Sequence, residues 1–82
     1  MMMIAVRIER IAACLGSGDY VIRRSGDVVA MVGPVGDTIV DVLKIAGDGE
    51  AGMDRLVYRR GISREACEQL ACEALHAPIL DD

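Results

Sequence analysis

The chain is 82 residues long, enough for one hydrophobic core and hence a single domain over 1–82. Hydrophobic residues make up 52% of it, yet there is no Phe, no Trp and only two Tyr, so the core has to be built from Val, Ile, Leu, Ala and Met. The net charge of −4 argues against wholesale phosphate binding and favours a partner with a basic surface.

The charge is unevenly spread. Residues 1–36 carry four Arg against three acids, or +1, and residues 37–82 carry five Lys or Arg against ten acids, or −5. This contrast suggests two ends with different tasks. Surplus apolar surface on so small a chain points to a homodimer. Three cysteines at irregular spacing make no disulfide framework, and the sequence shows neither a signal-peptide pattern nor an apolar run of about 18 residues. The expected setting is cytoplasmic, with no membrane.

At the N-terminus, Met2, Ile4, Val6 and Ile8 alternate with Ala5, Arg7 and Glu9, as in a strand, while Ile4, Ile8, Ile11 and Leu15 have helical spacing. The reading adopted is a short strand over about residues 2–8, then a short helix over about 9–15. Next, Tyr20–Arg24 and Asp27–Val32 flank Ser25-Gly26, a two-residue hairpin loop in which Gly supplies a positive φ. In that register Arg24 faces Asp27, Ile22 faces Val29 and Tyr20 faces Met31, with Val21 opposite Ala30 and Arg23 opposite Val28. Both faces are largely apolar, so the hairpin needs cover on two sides, from its own helices and from a second copy.

After Gly33-Pro34, Asp37 is a good N-cap, Ile39, Val42, Leu43 and Ala46 share a helical face, and Gly47 stands where a C-cap glycine belongs. That predicts a helix, although the β-branched Ile39, Val40 and Val42 keep a strand reading open. Residues 47–52 then read as a loop and 55–60 as a last strand. In the final helix, spanning about 63–77, Ser63 is the cap, Glu65 suits the dipole, and Ile62 staples against Cys67. Ala66, Cys67, Leu70, Ala71 and Ala74 form its apolar face, and Glu65, Gln69, Cys72, Glu73 and His76 its polar one.

Little of this is catalytic. His76 lies one turn after Cys72, but zinc wants four ligands, Cys67 falls on the buried face, and only Cys14 remains. The expectation is therefore no metal, no cofactor and no enzyme, with an exposed thiol beside a surface imidazole. The glycine-rich stretch 46–54 matches neither a P-loop nor an EF-hand. The pairs Arg23-Arg24 and Arg59-Arg60 are of a kind that contacts phosphates or carboxylates, though no stacking aromatics lie between them.

The run GDYVIRRSGDVVAMVGPVGDTIVDVLKIAG (18–47) resembles the centre of Phd/YefM-type antitoxins, with Gly18-Asp19, Tyr20–Arg24, Gly26, Val28–Val32 and Pro34 at the places of that family's turn, hairpin and exit. The resemblance implies an amphipathic helix after the exit, a dimeric DNA-binding N-terminal part and a C-terminal segment that occludes a toxin. Small acidic phage proteins, anti-CRISPR inhibitors among them, resemble the chain in size and charge.

The expected fold is thus α+β, a small antiparallel β-sheet around the 20–32 hairpin with two or three helices packed on one face. The expected function is non-catalytic binding and blocking of another protein with a basic surface, a toxin or a nucleic-acid-binding complex. Glu65, Glu68, Glu73, Asp81 and Asp82 would meet that surface by electrostatic complementarity. The alternative is a dimeric DNA-binding regulator using Arg7, Arg10, Arg23 and Arg24.

Overall fold

A computed structural model describes residues 5–8, 18–47 and 51–80. Among these residues six strands form one sheet: β1 (Val6–Ile8), β2 (Val21–Ser25), β3 (Val28–Gly33), β4 (Ile39–Ile45), β5 (Ala51–Val57) and β6 (Ile79–Leu80). A single helix, α1 (Arg64–His76), lies between β5 and β6. The strand order is β2-β3-β4-β5-β1-β6. The first five strands pair antiparallel, and β6 pairs parallel to β1.

The expectation of two or three helices on one face is therefore wrong. The described residues hold one helix, and the segment expected to be the middle helix is β4. The reason is its place at the centre of the sheet. Val40 and Val42 are fully buried on one face and Leu43 is 3% exposed on the other. A strand buried on both faces reads as an unbroken apolar run, which periodicity alone does not separate from a helix. The helix that the antitoxin resemblance places after Pro34 is likewise this strand.

Neither expected cap acts as one. Asp37 accepts the Ile62 N–H at its backbone carbonyl, at 3.1 Å. Gly47 lies against the β2–β3 turn, where an added Cβ would fall 2.6 Å from the Asp27 Cβ. The strand expected over about 2–8 is present as β1, with residues 1–4 outside the described residues, as is the helix expected over 9–15. The strand expected at 55–60 runs instead over Ala51–Val57, taking in two residues of the expected loop.

The hairpin is real, but its loop is Gly26-Asp27 rather than Ser25-Gly26. Gly26 has φ +58 at the first loop position, the glycine-first arrangement of a type II′ turn. Pairing thus moves by two: Ile22 faces Met31, Arg24 faces Val29 and Val21 faces Val32. A shift of two leaves every side chain on its expected face.

One face carries Val21, Ala30, Val32, Val40 and Val42, which join Cys67, Leu70, Ala71 and Ala74 of α1 in the core. Helix and strands meet through alanine and valine, so the layers lie close without large side chains. The Ser63 Oγ accepts the Ala66 N–H at 3.2 Å, and Ile62 and Cys67 are both buried, as the capping and staple readings require. At the other end of α1 the buried Lys44 reaches from β4 and donates to the Ala77 carbonyl, a cation at the negative end of the dipole. No helix among the described residues is long and apolar enough to cross a membrane.

Candidate binding groove along the helix

Three backbone bonds fix the end of the sheet where α1 begins. The Val35 N–H donates to the Asp19 carbonyl at 2.8 Å, Gly36 N–H to Ile62 at 2.7 Å, and Tyr58 N–H to Thr38 at 2.6 Å. The last of these holds Tyr58 just past β5, beside the helix. An open groove of about 980 Å³ runs here, with the side chains of Ala66 and Leu70 as its apolar part. Glu65, Glu68 and Glu73 contribute its carboxylates.

The three glutamates stand in different environments. Glu65 is exposed in the first turn, where the helix dipole favours a negative charge. Glu68 pairs with Arg23 of β2 at 3.1 Å, both side chains about two-fifths exposed. Arg23 also donates to the Ile22 carbonyl at 2.9 Å. Glu73 differs: its Oε2 is buried and accepts no hydrogen bond among the described residues. Burial raises the Tyr58 phenol above its ordinary pKa, and the nearby Cys67 and Glu73 push it further in the same direction. Burial thus keeps the Tyr58 hydroxyl protonated, and Tyr58 lines the same groove as Glu73.

The structure brings together Glu65, Glu68 and Glu73 of the expected partner-binding set, while Asp81 and Asp82 lie outside the described residues. It does not bring the arginine set together. Arg23 lies on the helix side against Glu68, whereas Arg24 and Arg7 fall on the opposite face of the sheet, and Arg10 lies outside the described residues. Cys72 and His76 are both exposed, and Cys67 is buried with its thiol pKa raised by that burial, against a smaller opposite pull from Arg64. No group of three or more His, Cys, Asp or Glu among the described residues is placed to hold a metal ion.

In the sequence Tyr58 stands only within the expected strand at 55–60, and nothing there marks it as part of a groove. No known protein family matches the chain, and neither a curated protein nor a solved structure matches it.

Proposed function

We propose that this chain is a non-catalytic protein that binds and blocks a protein with a basic surface, as antitoxin-type and phage-encoded anti-CRISPR-type inhibitors do, and that the groove along α1 is its contact. The observation that carries the reading is the buried Glu73 Oε2 without a donor. Leaving such an oxygen unpaired costs about 1–3 kcal/mol, which an arriving guanidinium or ammonium group recovers through a charge-assisted hydrogen bond. Glu65 adds negative charge at the mouth, and Ala66 and Leu70 offer apolar surface for the stem of a Lys or Arg side chain. Tyr58 supplies a neutral hydroxyl beside the site, suited to orienting a bound group.

The test is a comparison of captures from the native host, using immobilised wild type and a Glu65→Gln/Glu73→Gln variant of unchanged circular dichroism. A basic protein retained by the wild type and lost on the variant supports the reading. An identical retained set on both columns overturns it.

A further inference from the structure

β2 forms one margin of the sheet, with β3 on its inner side and, among the described residues, no strand on its outer side. The hairpin decides where each backbone group points. Ser25 and Val28 flank the two-residue turn and exchange hydrogen bonds, as do Arg23 with Ala30 and Val21 with Val32. The N–H and C=O groups of Ile22 and Arg24, which alternate with these, point outward.

One of the outward groups has taken a substitute partner. The Arg23 guanidinium bends back to donate to the Ile22 carbonyl at 2.9 Å, while its other terminal nitrogen holds Glu68 at 3.1 Å. A side-chain N–H thus serves a carbonyl that the backbone N–H of a neighbouring strand would serve. Ile22 itself is 53% exposed, and Arg24 and Ser25 beside it are exposed as well.

We infer that β2 pairs antiparallel with β2 of a second copy, about a two-fold axis at Ile22, so that one sheet runs through both copies. The occupant is a second copy because β2 is complementary to itself in this register. The two exposed isoleucines meet and exchange both backbone hydrogen bonds. Arg23 then lies opposite Val21 of the second copy. Arg24 lies opposite Tyr20, whose ring covers Gly33 on the same face and offers a surface to the guanidinium. Centring the pair on Arg23 or Arg24 instead would set two arginines directly against each other.

Charged edges ordinarily resist pairing, but here the charges are answered or kept apart. Glu68 answers Arg23 and can hold it after the guanidinium releases the carbonyl. The two Arg24 side chains stand four residues apart along the strands, or about 13 Å, beyond the screening length of about 8 Å at physiological salt. The axis is perpendicular to the sheet, so both α1 helices lie on the same side and the α1 groove of each copy keeps its own residues.

This inference does not rest on the reading of that groove. Its test is sedimentation of the full chain up to roughly 500 µM, beside Ile22→Lys, which sets two ammonium groups against each other at the axis. Because Ile22 is exposed, the variant should keep the wild-type circular dichroism. The expected result is a wild-type dimer and at least tenfold weaker association of Ile22→Lys. Amide exchange by NMR gives a readout without substitution: the Ile22 and Arg24 N–H groups should gain protection as wild-type concentration rises. A wild type that stays monomeric throughout, or a dimer that Ile22→Lys leaves intact, would overturn the proposal. So would exchange at Ile22 and Arg24 that does not change with concentration.

Discussion

Gly52 lies where β1 crosses closest to β5, and replacing it with Ala tests whether that packing is as tight as it looks. A Cβ at this position would sit 2.5 Å from the Val6 Cγ1 and 2.8 Å from the Arg7 carbonyl oxygen. Ordinary contact begins at 3.4 Å, so β1 must retreat by about 0.9 Å at the side chain and 0.6 Å at the backbone. The backbone oxygen cannot rotate away. Because β1 has three residues and alone carries β6, the displacement loosens both strands together. Val6 is fully buried, and burial of a valine is worth about 1.5–3 kcal/mol, of which a partial retreat loses much. Overpacking costs fall in the range of about 1–3 kcal/mol, so a loss near 2 kcal/mol is expected. For a domain of this size that lowers Tm by roughly 8–16 °C, read by far-UV circular dichroism and checked by urea unfolding. Gly26→Ala is the contrast: nothing lies within 4 Å of its Cβ, so only the φ of +58 opposes it, at about 1 kcal/mol. A Gly52→Ala variant melting within about 2 °C of wild type would refute the close approach of β1.

Ser63→Ala should cost about 1 kcal/mol and lower Tm by roughly 4–8 °C, since the Ala66 N–H loses its acceptor; an unchanged melt would mean that the cap contributes nothing. The Arg23–Glu68 pair is about two-fifths exposed on both sides, so a double-mutant cycle should give a coupling below about 1 kcal/mol that fades as salt rises. Tyr58 and Cys67 both have raised folded-state pKa values, so between unfolded and folded pKa the native state holds more protons than the unfolded one. Their stabilisation is complete below the unfolded values and is lost as pH rises through the folded ones. Urea unfolding should therefore show stability falling above about pH 9, with a shallower fall in Tyr58→Phe. A slope unaffected by that substitution would remove Tyr58 from the explanation.

What could be read from the residues depended on whether the signal was local. Ser63, Ile62 and the spacing of Cys67, Leu70, Ala71 and Ala74 act within one helix, and α1 formed with that cap and that buried face. The β2–β3 hairpin was equally local, and the alternation of its two faces survived even though Gly26 took the first loop position rather than the second. Segment 37–46 depended on its neighbours. Its 39, 42, 43, 46 spacing fits a helix, and only flanking strands on both sides decide that Val40 and Leu43 point to opposite faces. Gly52 misled for a similar reason: it reads as loop, but its missing side chain makes room for Val6 across the strands. The same holds for the groove. Glu65 and Glu73 were visible on a polar helix face, whereas the burial of one Glu73 carboxylate oxygen, and the placing of Tyr58 in the same groove, follow only from the fold.

The central claim is that Glu73 waits for a cation from a partner, and NMR tests it most directly. Amide-labelled wild type and Glu73→Gln, an isosteric change that removes the charge, would each be titrated with an arginine-rich nonapeptide. The expected result is saturable shifts at Tyr58, Glu65, Gln69 and residue 73 in the wild type, and at least tenfold weaker binding in the variant. Equal affinity for both proteins, or shifts that bypass α1 altogether, would contradict it.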